Sequence, residues 1–278
     1  MEFWLGWFHE HSTGSDVLEI ARQAEQLGFT GVALPDHVAI PKEQASRHPL
    51  RGTGYDPHMP YIDPFTTAAA MGAVTDKLRF MTYALVMGMR DPFTVAKMAA
   101  SLSDLTDGRF DLGITPGWLK EEMALLGHDP KTRGKRFDEA LAVMDGLWRN
   151  DFFSYKGEHY QFNDVAIYPS PVVTPKILIG GHSKKALDRV GRHDGWIGMN
   201  HPTDELVVML HDLKADPTAS KKEHYIIPPD SLTQDSIEQM ANLGVRGMVI
   251  MPWPLLDPAY ATVKARLATM EAFAAQWL

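Results

Sequence analysis

The sequence predicts an α/β fold: a single (β/α)₈ barrel domain over residues 1–278, with an insertion between strands four and five. Short apolar runs typical of buried strands alternate with segments of helical periodicity along the whole chain. This pattern favours parallel strands joined by crossover helices. Eight such units can be distinguished, and barrels of this type are typically about 250 residues long. We therefore expect one large domain.

The eight predicted strands are short runs in which apolar residues dominate. They cover residues 2–8, 30–34, 78–86, 109–114, 176–179, 196–199, 225–227 and 247–251. The seventh strand has the weakest pattern, because only a few apolar residues precede Pro228 and Pro229.

Capping residues mark the helices between these strands. Gly28 ends the first helix, as expected of a residue that follows a helix C-terminus. Asp63 and Asp91 each precede a proline, a combination that caps a helix and fills its first turn. After strand four, the helical period predicts a short helix near residues 119–126 and a longer one near residues 136–148.

Two segments do not follow the repeat. Residues 151–175 predict a hairpin that turns at Lys156 and Gly157 and then a proline-rich connection, which together form the insertion. Residues 39–61 are rich in Gly, Pro and His and have no periodicity, so we expect a long loop at the active site.

Composition excludes several classes of protein. The formal net charge is −8 with acids and bases interspersed, which argues against a nucleic-acid partner and against an anionic membrane surface. The absence of Cys excludes disulfides, thiolate chemistry and Cys-ligated zinc. The N-terminus lacks the basic start of a signal peptide, and no apolar run is long enough to span a bilayer. We expect a soluble cytoplasmic protein that acts on a small molecule.

The end of predicted strand two carries the best acid–base candidate. In such barrels catalytic groups lie at the C-terminal ends of strands and in the loops that follow. His37 occupies such a position, an imidazole titrates near neutral pH, and the adjacent Asp36 could orient it. The alternative interpretation is that Asp36 caps the next turn and His37 is merely solvated.

A glycine-rich turn after predicted strand five is a candidate phosphate site. Gly180, Gly181, His182 and Ser183 link a strand to a helix, so backbone amides, a hydroxyl and the positive end of the helix converge there. The alternative is a flexible turn in which Ser183 caps the helix.

Flat or soft side chains near the predicted strand ends could hold a planar ring. Packing in the core explains them equally well. The residues are Met87, Met89, Trp118, Trp196, Met199 and Trp253.

A second class of function, metal-dependent hydrolysis, has to be weighed. His9 and His11 are two residues apart on a strand and face the same side, as in barrel hydrolases of the amidohydrolase type. His182, His201 and Asp257 follow the strands where those enzymes carry further ligands. The chain lacks the strand-four lysine that bridges metals in many of them, and the hypothesis leaves the Gly180-Gly181 turn unexplained. We expect no metal.

Short motifs occur along nearly the whole chain, and their order and spacing matter more than any single one of them. They lie at residues 24–29 (AEQLGF), 34–38 (LPDHV), 90–92 (RDP), 105–111 (LTDGRFD), 113, 117–118 (GW), 121–122 (EE), 133–139 (RGKRFDE), 147–148 (LW), 179–181 (IGG) and 194–196 (DGW). On these motifs the chain resembles the luciferase-like monooxygenase superfamily, specifically its coenzyme F420-dependent oxidoreductase branch.

The resemblance implies hydride transfer between the deazaflavin coenzyme F420 and an organic alcohol, carbonyl or unsaturated substrate, with His37 as the active-site histidine. It also implies a cis peptide bond at the end of strand three, which aligns with Tyr83-Ala84 and would support the cofactor ring. Tyr83 replaces the small residue typical of the family. Thr115, Gly117 and Trp118 align with cofactor-binding residues, but the usual first glycine is Thr115 here.

Three further implications stay open at this point. An FMN-dependent monooxygenase of the same superfamily is the main alternative, and a paralogue that binds a cofactor without turnover is another. Many relatives are homodimers, although no sequence feature identifies an interface. The acidic tail of F420 needs a local basic strip, for which Lys42, Arg47 and Arg51 in the long loop are candidates. The alternative interpretation is that these charges only keep the loop soluble.

Overall fold

A computed structural model describes residues 1–6, 14–50, 52–199, 201–228, 231–254 and 257–278. The strands in these ranges are β1 Glu2–Gly6, β2 Gly31–Leu34, β3 Arg79–Thr82, β4 Leu85–Val86, β5 Phe110–Thr115, β6 Phe153–Lys156, β7 Gln161–Val165, β8 Ile177–Gly180, β9 Gly195–Gly198, β10 Glu223–Ile226 and β11 Val245–Ile250. The α-helices in the same ranges are α1 Gly14–Leu27, α2 Pro64–Gly72, α3 Pro92–Leu105, α4 Lys120–Leu125, α5 Arg133–Arg149, α6 Lys184–Val190, α7 Thr203–Ala215, α8 Gln234–Asn242 and α9 Val263–Trp277.

The strands other than β6 and β7 form a closed parallel barrel. β1 pairs with β2 on one side and with β11 on the other, and the order continues through β10, β9 and β8 to β5. The pairing of β3 with both β2 and β5 closes the ring. β3 and β4 are two segments of one barrel strand, so the described residues contain the eight-stranded barrel that the sequence predicts.

The third barrel strand is interrupted where the sequence predicts continuous strand. The peptide bond between Tyr83 and Ala84, which separates β3 from β4, is cis, as the family resemblance implies. The hydroxyl of Tyr83 donates hydrogen bonds to the carbonyl oxygens of Gly198 (2.6 Å) and Tyr225 (3.2 Å). Its ring therefore lies across the inside of the barrel.

The predicted capping residues occupy the predicted positions. The carboxylate of Asp63 accepts from the amide of Thr66 at the start of α2, and Asp91 accepts from Thr94 at the start of α3, each at 2.8 Å. The hairpin of β6 and β7 lies between β5 and β8 in the chain and forms a separate antiparallel sheet, as the predicted insertion requires.

Several predicted boundaries are wrong by a few residues, and some of them lie where polar residues occur near the ends of elements. β10 starts at Glu223 and β11 at Val245, two residues earlier than the apolar runs indicate. Glu223 and Arg246 extend these strands because they form ion pairs at the bottom of the barrel. α5 likewise begins at Arg133 in a polar first turn rather than at residue 136. Residues 7 and 8 of the first predicted strand lie outside the described residues.

Residues 39–50 and 52–61 contain neither helix nor strand, in agreement with the predicted long loop. Among the described helices, none combines the length and the apolar character that crossing a bilayer requires.

Candidate active site

A cavity of about 450 Å³ lies at the C-terminal ends of the barrel strands. Such a volume falls in the range of small-molecule and cofactor sites. All the site residues proposed from the sequence line this cavity: Asp36, His37, Tyr83, Ala84, Thr115, Gly117, Trp118, Gly180, Gly181, His182 and Ser183. They come from separate loops, which only the closed barrel brings together.

Sequence reasoning missed part of the lining. The residues it did not single out as site residues include His48, Pro49, Leu50, Tyr55, Tyr61, Arg133 and Arg189. The long loop supplies the first five, and a loop without periodicity gives no signal for which side chains turn inward. Arg133 lies in the RGKRFDE motif, so the motif indicated the segment but not the function of its first residue.

His37 is held by a carboxylate that is distant in sequence. Its Nδ1 atom lies 2.7 Å from Oε2 of Glu122 in α4, and the two side chains are only 7% and 1% exposed. Oε1 of Glu122 accepts hydrogen bonds from the amides of Val38 (2.7 Å) and Ala39 (2.9 Å). Burial by itself raises the pKa of Glu122, but the hydrogen bonds from His37, Ala39 and Val38 lower it overall.

Asp36 does not orient His37, which corrects the orienting role expected from its adjacent position. Its carboxylate accepts from the amide of Val86 and from Nη2 of Arg90, each at 2.8 Å. Successive residues after a strand point in different directions, so sequence adjacency is a poor guide to contact. Burial raises the pKa of the Asp36 carboxyl, and Arg90 and the Val86 amide oppose that rise. This contact connects the loop after β2 to β4.

Three aromatic rings pack close to His37. The ring centroids of Tyr61, Tyr55 and Trp118 lie 4.9, 5.2 and 6.2 Å from that of His37. His48 packs between Tyr55 and Trp118, at 5.3 Å from each ring centroid. Such a wall excludes water and suits an apolar or aromatic substrate portion next to an acid–base group.

The floor of the cavity is built by the interrupted strand and its neighbours. Tyr83 and Ala84 flank the cis bond, and Ile197 and Met199 extend the apolar surface. A Cβ atom added to Gly180 would lie 3.4 Å from the Cβ atom of Ala84, so glycine at this position keeps the floor open. Burial raises the pKa of Tyr83 well above its ordinary value, so its phenol stays neutral.

The glycine turn forms one side wall. Gly181 has φ +119°, a conformation that other residues rarely adopt. Oγ of Ser183 accepts from the amide of Ala186 at 3.3 Å, so the residue caps α6 as the alternative interpretation holds. Arg133 and Arg189 also line the cavity, and the guanidinium group of Arg189 is paired with Asp138.

The loop after β5 forms the other wall. Gly117 has φ +91°, and a Cβ atom there would lie 2.5 Å from Cγ1 of Val86 and 2.6 Å from Cε of Met123. Its carbonyl oxygen accepts a hydrogen bond from Nε of Arg133 at 3.2 Å. The departure from the family pattern at Thr115 leaves this close packing in place, because the second glycine is the one that contacts β4.

The other predicted features separate into those near the cavity and those far from it. Of the flat and soft side chains, Trp118 and Met199 line it, whereas Trp196 and Trp253 are buried in the hydrophobic core. Of the three basic candidates for the cofactor tail, Arg47 lines the cavity, Lys42 is exposed away from its lining, and Arg51 lies outside the described residues.

The histidines of the metal hypothesis are only partly described. The described ranges contain no group of three or more His, Asp or Glu residues that could hold a metal ion. The rings of His182 and His201 pack edge to face at 4.9 Å, and Asp257 caps a short 3₁₀ helix through the amide of Ala259. His9 and His11 lie outside the described residues.

Barrel architecture and an apolar cavity with one buried acid–base pair at the strand ends are typical of enzymes that bind a cofactor and a small substrate. The model of the luciferase-like monooxygenase family matches residues 5–238. The chain belongs to this family.

Relatives in sequence include characterised and uncharacterised proteins. An uncharacterized protein from Mycobacterium bovis is 32% identical over 267 residues, which is 92% of each chain. An FMNH₂-dependent dimethylsulfone monooxygenase from Pseudomonas putida is 31% identical over 163 residues, or 56% of this chain and 44% of its own length.

Solved structures of low sequence identity share the fold. The monooxygenase RslO1 from Streptomyces bottropensis superposes with a TM-score of 0.77 at 18% identity, covering 100% of this chain and 98% of its own. An F420-dependent secondary alcohol dehydrogenase superposes with a TM-score of 0.64 at 20% identity, covering 97% of this chain and 83% of its own.

Proposed function

We propose that the protein is an oxidoreductase that transfers a hydride between coenzyme F420 and an organic alcohol, carbonyl or unsaturated small molecule. The observation that carries the proposal is the buried His37–Glu122 pair, of which His37 lines the cavity. A positioned imidazole exchanges the proton that accompanies hydride transfer from or to an oxygen-bearing carbon. The fold shared with an F420-dependent secondary alcohol dehydrogenase also supports it.

The cavity fits a flavin-type cofactor in its chemistry. Tyr83, Ala84 and Ile197 offer an apolar floor to a planar ring, and glycine at position 180 leaves that floor uncovered. For the phosphate, the proposed site is the wall at residues 180–183, and Arg133 contributes a positive charge to the lining of the same cavity. When bound, the cofactor supplies the acceptor or donor of the hydride.

The protein itself binds and orients the substrate and exchanges a proton with it. In alcohol oxidation, Nε2 of His37 takes the hydroxyl proton while the hydrogen on the carbinol carbon leaves with its electron pair, and a carbonyl group remains. In the reverse direction the imidazolium returns the proton to the carbonyl oxygen. Tyr55, Tyr61 and Trp118 shield this exchange from water.

A second candidate is an FMN-dependent monooxygenase, which the sequence match to an FMNH₂-dependent dimethylsulfone monooxygenase supports. Both candidates would place a flavin-type ring in the same cavity, so they differ in the cofactor that the protein binds. A chain that binds a cofactor without turnover is the third.

Titration of the purified protein with F420 and, separately, with FMN and reduced FMN tests the proposal through absorbance and fluorescence changes. We expect the deazaflavin to bind more tightly and to be reduced or oxidised when an alcohol or carbonyl panel is added. Tight FMN binding without measurable F420 affinity would contradict the proposal and favour the monooxygenase. Binding of F420 without turnover of any substrate would favour the third candidate.

A further inference from the structure

The carboxylate of Glu122 contacts polar groups of three consecutive residues of the chain. Oε1 accepts from the amides of Val38 and Ala39, and Oε2 faces Nδ1 of His37 at 2.7 Å. The glutamate side chain is 1% exposed, so water does not compete for these bonds. One carboxylate thus fixes both an imidazole ring and the backbone that follows it.

The chemistry of this contact determines where His37 carries its proton. A carboxylate only accepts hydrogen bonds, and its partners lower the pKa of Glu122, which keeps the group ionised at neutral pH. A neutral imidazole bonded to it through Nδ1 must therefore carry its proton on Nδ1. Nε2 then has the lone pair, which is the form that accepts a proton.

We infer that Glu122 is the positioning residue of His37: it selects the tautomer with the proton on Nδ1 and aims Nε2 at the substrate. This inference rests on the proposed function, in which Nε2 exchanges a proton with the substrate. Glu122 also ties the ring orientation to the first residues of the long loop, Val38 and Ala39, so the loop backbone and the acid–base group are set by one side chain.

The neighbouring glutamate offers a matched control. Oε1 of Glu121 accepts from the amides of Ala45 and Ser46, each at 2.9 Å, so it holds a later part of the same loop. It makes no hydrogen bond to His37 among the described contacts. The Glu121→Gln substitution removes the same charge from α4 and alters a residue that holds the loop, but it leaves the partner of Nδ1 in place.

The Glu122→Gln variant separates the two functions of the side chain. Its amide oxygen can still accept from Val38 and Ala39, whereas its NH₂ group faces Nδ1 and donates to it. An imidazole that accepts at Nδ1 carries its proton on Nε2, so the variant should reverse the tautomer while it retains the loop contacts.

The experiment is ¹⁵N NMR of histidine-labelled protein without added cofactor, at alkaline pH where imidazoles are neutral, with the His37 signals assigned from the His37→Ala spectrum. We expect the Nδ1–H tautomer in the wild type and in Glu121→Gln, and the Nε2–H tautomer in Glu122→Gln. A wild type in the Nε2–H form, or an unchanged tautomer in Glu122→Gln, would overturn the inference. This measurement is independent of cofactor, so failure of the proposed function alone would not alter it.

Turnover supplies the second readout. With the cofactor that binds, Glu122→Gln should lower kcat by about 10²- to 10⁴-fold, because a histidine in the wrong tautomer cannot act as base. KM for the cofactor should change by no more than about threefold, because the imidazole ring of His37 should move little in this variant. Unchanged kcat in a variant whose tautomer has reversed would show that the positioning role is wrong.

Discussion

The two ends of the barrel treat charge in opposite ways. At the N-terminal end, charged side chains face one another across the strand starts: Arg79 bonds to Asp111, and Lys176 bonds to Glu223 at 2.8 Å. At the C-terminal end, the carboxylate of Glu122 contacts His37. His37 in turn lines a cavity of about 450 Å³. Ion pairs therefore fill the N-terminal, closed end, whereas a cavity lined by His37 occupies the C-terminal, open end.

From this difference we infer that the end of the barrel at which a residue lies, and not its type, determines whether it contributes to stability or to function. The hydroxyl of Tyr225 donates to Glu223 at the closed end (3.0 Å), while that of Tyr83 donates to backbone carbonyls below the open end. Both tyrosines are buried, yet only Tyr83 lines the cavity. Substitutions at the closed end should therefore change unfolding, and substitutions at the open end should change chemistry.

The largest effect is expected at the open end. Replacing His37 with Ala should lower kcat by about 10²- to 10⁴-fold, the range of a positioned acid–base group, with little change in cofactor affinity. Steady-state kinetics and cofactor titration measure the two effects. An unchanged rate would remove His37 from the mechanism. If a chelator abolished activity while His37→Ala spared it, the metal hypothesis would regain support.

At the closed end the largest effect is on stability. Asp111→Ala leaves Arg79 without its buried partner and should destabilise the protein by about 2 to 3 kcal/mol, a moderate value because Arg79 is partly exposed. Urea unfolding gives the free energy change, and kcat should stay within about twofold of the wild type if the two ends are independent. A large loss of kcat at full folding would contradict that independence.

Substitutions in the turn at residues 180–183 test where the cofactor phosphate binds. Any side chain at position 181 is strained because φ is +119°, so Gly181→Ala serves as the control for strain. Gly181→Asp adds a negative charge and should weaken cofactor binding by about 10²-fold relative to Gly181→Ala, as expected of like charges a few ångströms apart. Equal affinities in the two variants would place the phosphate elsewhere.

Acidification should affect the two ends with opposite signs. The pKa of Glu122 is lowered in the folded protein, so its contribution to stability is present above the unfolded value of about 4.3 and is lost as pH falls. Burial raises the pKa of Asp111 despite Arg79, so protonation as pH falls through that raised value favours the folded state.

Urea unfolding between about pH 7 and about pH 3 measures these contributions, because the range must extend below the unfolded pKa of Glu. Glu122→Gln and Asp111→Asn serve as variants that do not titrate at the two positions. We expect the stability advantage of the wild type over Glu122→Gln to shrink on acidification. Relative to Asp111→Asn, the wild type should gain stability over the same range. Parallel pH profiles for all three proteins would mean that neither carboxyl has a shifted pKa.

The sequence predicts those parts of the fold and of the site that depend on contacts between residues close together in the chain. Strand and helix order followed from local periodicity and from caps such as Asp63, and the barrel then gathered the residues at the strand ends. The partner of His37 could not be derived in that way, because 85 residues separate it from Glu122. The sequence offered an adjacent carboxylate, Asp36, whose side chain instead meets Arg90.

The smallest effect is expected from the basic residues proposed for the F420 tail. Arg47 lines the cavity mouth and Lys42 does not, so Arg47→Gln should weaken F420 binding more than Lys42→Gln does. An exposed ion pair contributes about 0.2 to 1 kcal/mol, which corresponds to at most about fivefold in affinity per charge. Addition of salt should reduce the difference, since exposed charges are screened.

FMN provides the control for this last prediction, because it lacks the acidic tail. Arg47→Gln should leave FMN affinity nearly unchanged, whereas F420 affinity should fall at low ionic strength and converge with that of the wild type at high salt. An equal loss for both cofactors would place Arg47 near the shared phosphate or ring and not near the tail.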